Sequence, residues 1–269
     1  MYPSLQIGHM LVPTFSVMLG VGVILLMLVA LLRSKKCKLD KRVTAGAILA
    51  GLAAGVIGTV AAEWLFDSPG QMHPGTGEVA VGWIAAAVGI KAWSDARRAN
   101  IRQLADCIAP PLALFLMVMG TASFLAGCDF GQPTDAPWGV TFTNGLALAW
   151  YGTPLGTPLQ PTQLYESVLA AGILAFLIVW ERRRPPAGTL FLAFVVTYAA
   201  GRFLLEFVRG EAGRGFLWLL SIPQWLCLAT LAACAAARLS FGARRRVQAL
   251  LASLRGLHRH PPRTSTQHH

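Results

Sequence analysis

The chain has 269 residues, of which 55% are hydrophobic and 13% are charged, and its mean hydropathy is positive. This composition excludes an ordinary soluble domain and is typical of an integral membrane protein. The formal net charge of +11 favours contact with anionic lipid headgroups, and nucleic-acid binding by the basic tail is the weaker alternative. We therefore expect membrane lipids, and no nucleic acid, as partners.

Seven apolar segments are long enough, or nearly long enough, to cross a bilayer, since a span needs about 20 mainly apolar residues. They are too long for barrel strands, so helices are expected. The third is the weakest, because it is short and carries Lys91. The first lacks a basic n-region and a small-residue cleavage site, which predicts a retained helix. The predicted spans are Leu11–Leu32, Ala45–Leu65, Val79–Trp93, Leu104–Ala126, Leu164–Trp180, Gly188–Val208 and Ser221–Leu239.

The Lys and Arg residues cluster after spans one, three, five and seven, and none occurs between Gln103 and Glu181. By the positive-inside rule these four basic segments are cytoplasmic. The predicted fold class is an all-α integral membrane protein with seven transmembrane helices and a long outer loop between helices four and five. Its N-terminus lies outside and its C-terminus in the cytoplasm. We predict a membrane domain over residues 1–240 and a basic, partly disordered cytoplasmic tail over residues 241–269.

The long outer loop is the most distinctive polar segment of the chain. It contains GCDFGQPTDAPWGVTF and, further on, PLQPTQLYES. Between them, Thr141–Thr157 predicts a short interfacial helix or a strand pair. The five cysteines show no metal spacing and their odd number excludes a fully paired set, so no metal site is expected. Among them only Cys128 is predicted on the outer side, and a buried position near a helix end is favoured for it.

Span six carries Arg202 and Glu206, four residues apart and therefore on one helix face. Charges inside a membrane are expensive, so such residues are functional candidates by default. An arginine offers planar, bidentate donors to the phosphate of a lipid headgroup. A helix-locking ion pair is the alternative. Other outer-side groups predict a polar cavity around this pair: Glu63, His73, Asp129, Asp135, Trp138, Trp150, Tyr151, Tyr165 and Glu166.

Four motifs, in order and on this seven-span plan, resemble bacterial prolipoprotein diacylglyceryl transferases. They are the two loop motifs, GRFLLEFVRG of span six, and LSIPQW before span seven. The resemblance implies transfer of a diacylglyceryl group from phosphatidylglycerol to the cysteine thiol of a prolipoprotein signal peptide. It also implies a multi-pass protein of the bacterial inner membrane that acts at the outer face. No cofactor is expected, and we expect a monomer.

The resemblance also implies site residues, because Arg202 and Glu206 match the arginine and glutamate of the family's sixth span. We expect these two to be catalytic, together with His73 as a candidate base. The loop motifs supply the residues expected to bind substrate, which are Asp129, Thr134, Asp135, Trp138, Gln163, Tyr165 and Glu166.

The chain departs from the family pattern at four positions. Gly120 and Ser123 stand where the Gly-Arg-x-Gly-Asn signature has its arginine and asparagine. Val81 replaces a histidine or tyrosine, and Val60 replaces an arginine of span two. A charge-assisted hydrogen bond is worth about 1.5–3 kcal/mol, so efficient catalysis requires substitutes for the lost groups.

The candidate substitutes are Arg209 or Arg214 for holding phosphate and His73 or Glu63 for accepting a proton. Two other functions remain open on the sequence. One is a catalytically silent family member that binds phospholipid or signal peptides. The other is a small transporter, in which the polar residues of the bundle line a pathway.

Overall fold

A computed structural model describes residues 2–7, 10–65, 76–210 and 216–238. Within these ranges six helices are long and apolar enough to cross a membrane, which confirms the helical membrane class. Two further helices accompany them: α5, which has only seven residues, and α8, an apolar helix that is longer than α5. The six long helices are α1 (Thr14–Ser34), α2 (Lys41–Leu65), α3 (Thr76–Ala96), α4 (Ile101–Ala126), α6 (Thr162–Glu181) and α7 (Thr189–Leu205); the other two are α5 (Gly145–Tyr151) and α8 (Ile222–Arg238).

The first predicted span was wrong at its start. Residues Met10–Pro13 form a strand, β2, which pairs antiparallel with β1 (Ser4–Ile7), and α1 begins only at Thr14. Pro13 disfavours helical conformation for the residue before it, and Leu11 and Val12 pair with Gln6 and Leu5 in a strand instead. The seventh predicted span, Ser221–Leu239, corresponds to α8. Its last residue and the predicted tail, residues 241–269, lie outside the described residues.

Helices α2, α3 and α4 begin three or four residues before the predicted spans. Hydropathy marks the part of a helix that suits hydrocarbon, whereas the helix itself continues through polar residues at its end. In α4 the extra turn starts at Asn100, whose side chain accepts a hydrogen bond from the Arg102 backbone at 3.0 Å. This is an ordinary N-cap, which satisfies one of the unpaired N–H groups of the first turn.

Helix α4 occupies the centre of the bundle and has a larger share of buried residues than any other of the long helices described. One face packs on α1, where Leu26 and Ala30 meet Leu104 and Ile108. Another face packs on α6 and α7, in a cluster that includes Ala109, Ala113, Ile173, Leu177, Leu190 and Phe194. Helix α4 therefore lies between two apolar clusters, one shared with α1 and α2 and the other with α6 and α7.

The two ends of the bundle differ in their polar contacts. At one end, Arg33 of α1 donates to both carboxylate oxygens of Glu181 in α6, at 2.7 and 3.1 Å. The same guanidinium donates to the Cys107 carbonyl of α4 at 3.3 Å. The long loop, residues 127–161, lies at the opposite end, which we call the loop end. Because α4 ends and α6 begins there, the loop joins neighbouring helices directly.

We expect Asp106→Ala to lower the free energy of unfolding by about 1–2 kcal/mol. The Asp106 carboxylate caps α7, accepting from the backbone N–H of Gly188 at 2.6 Å and of Phe191 at 2.8 Å. Removing it leaves two donors of the first turn without a protein partner. Thermal unfolding in detergent, followed by circular dichroism, measures the change. The control is Asp95→Ala, which removes an exposed partner of Lys91 and is expected to cost about 0–1 kcal/mol; equal losses would contradict the capping role.

Candidate active site

The long loop begins with two residues in the left-handed conformation. Gly127, with φ of 85°, ends α4 and donates its N–H to the Ser123 carbonyl at 2.9 Å. Asp129 follows with φ of 58°, a conformation that few side chains other than Asn and Asp adopt readily. The chain therefore turns sharply back over the end of α4, and the Asp129 side chain is held above the helix bundle.

Residues 130–134 are extended and lie between two other segments of backbone. On one side, the backbones of Gly131 and Gln160 are hydrogen-bonded at 3.0 Å, and Gln160 also donates to Gln132 at 2.9 Å. On the other side, Gln132 donates to Val208 and Gly210 donates to Phe130, both at 3.0 Å. The loop is thus bonded both to the start of α6 and to the end of α7.

Two glycines permit this close approach. A Cβ on Gly210 would lie 2.2 Å from the Gly131 carbonyl oxygen, and one on Gly131 would lie 2.5 Å from the Gln160 carbonyl oxygen. Both contacts are with backbone, which cannot move aside as a flexible side chain can. Glycine is therefore required where the loop crosses the end of α7.

Arg209, just after α7, lies at the centre of a group of charged side chains. Its Nη2 donates to Asp129 Oδ1 at 2.6 Å and its Nη1 donates to Glu166 Oε1 at 2.8 Å. Only 5% of its side chain is exposed. One guanidinium thus joins the loop, α6 and α7 at the loop end.

Arg202 also approaches Glu166, and in all it contacts two carboxylates. Its Nη1 donates to Glu206 Oε2 at 2.5 Å, and its Nε is 3.5 Å from Glu166 Oε1. Its side chain is 16% exposed, whereas that of Glu206 is 1% exposed. The Ser221 hydroxyl donates to the other oxygen of Glu206 at 3.1 Å. Arg202 is therefore the more accessible guanidinium, and Glu206 is buried behind it.

The Ser123 hydroxyl and the Cys128 thiol lie near the Asp129 carboxylate, on the loop side of these charged groups. Ser123 donates its hydroxyl to Asp129 Oδ2 at 2.8 Å, and the buried Cys128 thiol lies 3.6 Å from the same oxygen. Gln163 donates to the Cys128 carbonyl at 2.7 Å and is fully buried. These contacts fix the backbone that carries Asp129.

Tyr151 of α5 borders this part of the loop. Burial raises the pKa of its phenol, and the neighbouring Cys128 and Asp129 raise that pKa further. The phenol consequently stays protonated at neutral pH and can donate a hydrogen bond.

Arg202, Arg209, Asp129, Glu166 and Glu206 together form what we call the charge cluster. It contains two guanidinium groups and three carboxyl groups, so it carries one more acid than base. Each arginine contacts two carboxylates, but the Arg202 side chain is 16% exposed and that of Arg209 only 5%, so an incoming anion reaches Arg202 more readily. The arrangement suits recognition of a phosphate next to a group that accepts a proton.

The family model described as prolipoprotein diacylglyceryl transferase matches residues 3–239. The chain belongs to this family. A Clostridium tetani protein named phosphatidylglycerol–prolipoprotein diacylglyceryl transferase is 29% identical over 226 residues, covering 81% of this chain and 88% of that protein. A Clostridium perfringens relative is also 29% identical, over 80% of this chain and 85% of its own length. One from Geobacter sulfurreducens is 38% identical over 48% of this chain and 50% of its own length.

Several residues expected from the family motifs lie together in the charge cluster. These are Arg202, Glu206, Asp129 and Glu166. Three others support the loop instead. Gln163 holds the Cys128 carbonyl, and Tyr165 donates to the Gln160 amide oxygen at 2.6 Å. The Gln160 amide in turn donates to Thr134 at 2.8 Å.

Of the other expected residues, some are described outside the charge cluster and some lie outside the described residues. Asp135 and Trp138 are exposed on the loop, and Asp135 forms no ion pair within the described residues. His73 and Arg214, candidates for base and phosphate ligand, lie outside the described residues. Glu63 is half-buried near the end of α2.

The sequence indicated Arg209 only as one possible substitute for the missing arginines. Helical spacing could not place it, because α7 ends at Leu205, residues Glu206–Val208 form a 3-10 turn, and Arg209 itself has extended backbone with φ of −73° and ψ of 143°. Ser221 also received no role, although LSIPQW was noted as a motif. Its contact with Glu206 joins two segments whose approach no spacing reveals.

The missing signature arginine has a packing explanation. Gly120 lies in α4 where that helix crosses α6. A Cβ there would be 2.4 Å from the Ser167 hydroxyl oxygen and 2.7 Å from the Gln163 carbonyl oxygen. Ser123, at the asparagine position, instead supports Asp129. Here α4 approaches α6 too closely for any side chain at position 120.

Proposed function

We propose that the protein transfers a diacylglyceryl group from phosphatidylglycerol to the cysteine thiol of prolipoprotein signal peptides. The observation that carries the proposal is the accessible Arg202 backed by the buried Glu206 and placed beside Glu166. Family membership and the names of the relatives support the substrates. They favour transfer over a catalytically silent lipid-binding protein or a transporter.

Arg202 is proposed to hold the headgroup phosphate. One of its terminal nitrogens is bonded to Glu206, and its partly exposed fork leaves donors for a phosphate oxygen. Preorganised positive charge stabilises the negative charge that develops on the leaving phosphate. Glu206 is too buried to meet substrate and is proposed to orient the guanidinium. Arg209, held by two acids, is proposed to position them.

Glu166 is proposed to accept the proton of the substrate thiol. Its Oε1 lies near both arginines, and its Oε2 forms no hydrogen bond within the described part of the chain. Its side chain is 21% exposed, so a substrate can reach it. A thiol must become a thiolate to attack carbon, and a nearby carboxylate provides the base.

The proposed reaction breaks one bond to carbon and forms another. Glu166 takes the thiol proton, and the thiolate sulfur attacks the glycerol carbon that carries the phosphate. The carbon–sulfur bond forms as the carbon–oxygen bond breaks, and the electron pair leaves on the phosphate oxygen. Glycerol phosphate departs from the Arg202 side, and the peptide retains the diacylglyceryl group as a thioether.

Seven spans with the N-terminus outside are proposed for the membrane arrangement. This count adds α8 to the six long helices, and it places the loop end at the outer face of the bacterial inner membrane. The absence of Lys and Arg between Gln103 and Glu181 supports that orientation. The monomeric state, the domain boundary at residue 240 and the binding of signal peptides belong to the same proposal.

The direct test uses the full chain reconstituted in vesicles that contain phosphatidylglycerol labelled in its headgroup glycerol. A synthetic prolipoprotein signal peptide with its cysteine is added. We expect release of labelled glycerol phosphate and a peptide mass increase of one diacylglyceryl group. A peptide with serine in place of the cysteine is the control and should not react. Folded protein that binds the lipid but yields neither product would favour the catalytically silent alternative.

We expect Glu166→Gln to reduce the transfer rate by about 10²–10⁴-fold while phosphatidylglycerol still binds. The amide keeps the shape of the side chain but cannot accept the thiol proton. Single-turnover rates and lipid binding are measured separately on the same preparation. Asp129→Asn is the matched comparison, because Asp129 also contacts Arg209 but has both oxygens engaged by Arg209 and Ser123. A larger rate loss in Asp129→Asn would assign the base to Asp129 instead.

A further inference from the structure

The connection between α7 and α8 ends in a small hairpin with an apolar tip. Strands β3 (Phe216–Leu217) and β4 (Leu220–Ser221) pair antiparallel, with Leu217 opposite Leu220. Leu217, Trp218 and Leu219 are 57%, 89% and 94% exposed in the protein alone. Three consecutive large apolar side chains at the loop end are thus mostly exposed within the part of the chain that the structure describes.

The hairpin is attached to the bundle at its base. Trp225 of α8 donates its indole N–H to the Leu217 carbonyl at 3.0 Å. Ser221 receives its own support from Gln224, whose side-chain oxygen accepts the Ser221 N–H at 2.9 Å. Trp218 lies in the left-handed region with φ of 61°, which is unusual for a bulky side chain. The turn is therefore a defined structure that directs the tip away from the helices.

The exposed tip continues the apolar outer surface of neighbouring helices. Leu204 and Phe207 near the end of α7, and Ile222 and Trp225 at the start of α8, are all exposed large apolar residues. In a bilayer such helix surfaces contact lipid. Tryptophan is enriched at the level where acyl chains meet headgroups, because its ring is apolar and its N–H is polar. The partner that matches this surface is the lipid bilayer itself.

We propose that the tip of this hairpin, Leu217–Leu219, inserts into the lipid leaflet at the loop end. The occupant of the surface is the boundary between the headgroups and acyl chains of that leaflet. The hairpin base reaches the charge cluster, since Ser221 donates to Glu206, which holds Arg202. Insertion therefore fixes the depth of Arg202 relative to the headgroup phosphates. The inference requires a bilayer but does not require that transfer occurs.

Depth-dependent fluorescence quenching tests the insertion. The full chain and its Trp218→Phe variant are reconstituted in vesicles of phosphatidylcholine and phosphatidylglycerol, with or without bromine on the acyl chains near the glycerol. The difference between the two proteins isolates the emission of Trp218. We expect bromine to remove at least about half of that emission, and aqueous iodide to quench it little, as for an interfacial tryptophan. Quenching by iodide but not by brominated lipid would overturn the proposal.

A variant of the tip provides a second measurement. Leu217→Ser combined with Leu219→Ser removes apolar surface but keeps Trp218 as the reporter. We expect iodide quenching of Trp218 to rise by at least about twofold, because the apolar surface that holds the tip in lipid is lost. The control is Trp138→Phe. Its difference from the wild-type chain isolates the emission of Trp138, an exposed indole on the polar loop, for comparison with Trp218 at the tip. No change in the double variant, with circular dichroism unchanged, would overturn insertion.

A signal peptide could compete as the occupant of the tip, and the same reporter separates the two cases. A synthetic prolipoprotein signal peptide is added to vesicles containing the wild-type chain or Trp218→Phe. We expect brominated lipid to quench Trp218 equally before and after addition. If Trp218 is quenched by iodide until the peptide is added and is then shielded, peptide docking replaces lipid insertion. Because these measurements need no turnover, their failure is distinguishable from failure of the proposed transfer.

Discussion

Arg202→Gln is expected to lower the rate of diacylglyceryl transfer about 10²–10³-fold, as does removal of a preorganised donor at other active sites. Glutamine has a similar length but carries neither the charge nor the planar fork that can hold a phosphate. The variant also leaves Glu206 buried with Ser221 but without its arginine. Steady-state kinetics with phosphatidylglycerol in vesicles measure the change. We expect it in the turnover rate as well as in lipid binding, since phosphate charge increases as the carbon–oxygen bond breaks.

The matched control for this variant is Arg33→Gln at the opposite end of the bundle. Arg33 and Glu181 form an arginine–glutamate ion pair of similar burial, and its loss also imposes a structural cost, although Glu181 keeps Lys36 as a partner. Breaking a buried pair costs about 3–5 kcal/mol, and less where the pair is partly exposed. Thermal unfolding should therefore change in both variants, while transfer falls only in Arg202→Gln. Equal transfer rates in the two folded variants would contradict the role of Arg202.

Gly120→Arg, which restores the residue of the family signature, is expected to abolish folding instead of increasing activity. The smaller change Gly120→Ala already brings Cβ to 2.7 Å from the Gln163 carbonyl oxygen, which is backbone of α6. Overpacking of this kind costs about 1–3 kcal/mol for a single methyl group. An arginine must in addition displace Ser167, whose hydroxyl lies near the Met117 and Gln163 carbonyls at 3.2 and 3.1 Å. The folded yield and the unfolding temperature in detergent measure the effect.

Gly172→Ala is the control for these substitutions, because it lies within α6 and a Cβ there meets nothing within 4 Å. It is expected to leave stability unchanged or to increase it by up to about 1 kcal/mol through helix propensity. Ser167→Ala combined with Gly120→Ala should recover only part of the loss, because the Gln163 backbone oxygen remains. A folded Gly120→Arg protein with faster transfer would show that α4 and α6 separate to admit the side chain.

Most of the helical plan could be predicted from composition and charge placement. Apolar runs identified the six long helices, because a bilayer requires continuous apolar segments whose backbone groups bond internally. The start of α1 was missed because Pro13 alters backbone conformation without altering hydropathy. The first residues of α2, α3 and α4 were missed because a helix extends past hydrocarbon into polar surroundings, where composition no longer marks it.

The pairing of Arg202 with Glu206 could be predicted, since a spacing of four residues determines proximity on a helix. The placement of Asp129 and Glu166 next to Arg209 could not. Asp129 belongs to a loop in the left-handed conformation, and Glu166 begins another helix. Their meeting depends on the extended loop being held between residues 158–160 and 208–210, which are distant in sequence.

The membrane class, the order of the apolar helices and the family motifs follow from local composition and spacing, so they are evident from the sequence. Which charged groups meet depends on the folded arrangement. It buried Glu206, left Arg202 accessible, and made Arg209 the link between Asp129 and Glu166. It also gave the absence of an arginine at position 120 a cause in packing. The physical reason is that ion pairing and close helix contact depend on distances between segments remote in the chain.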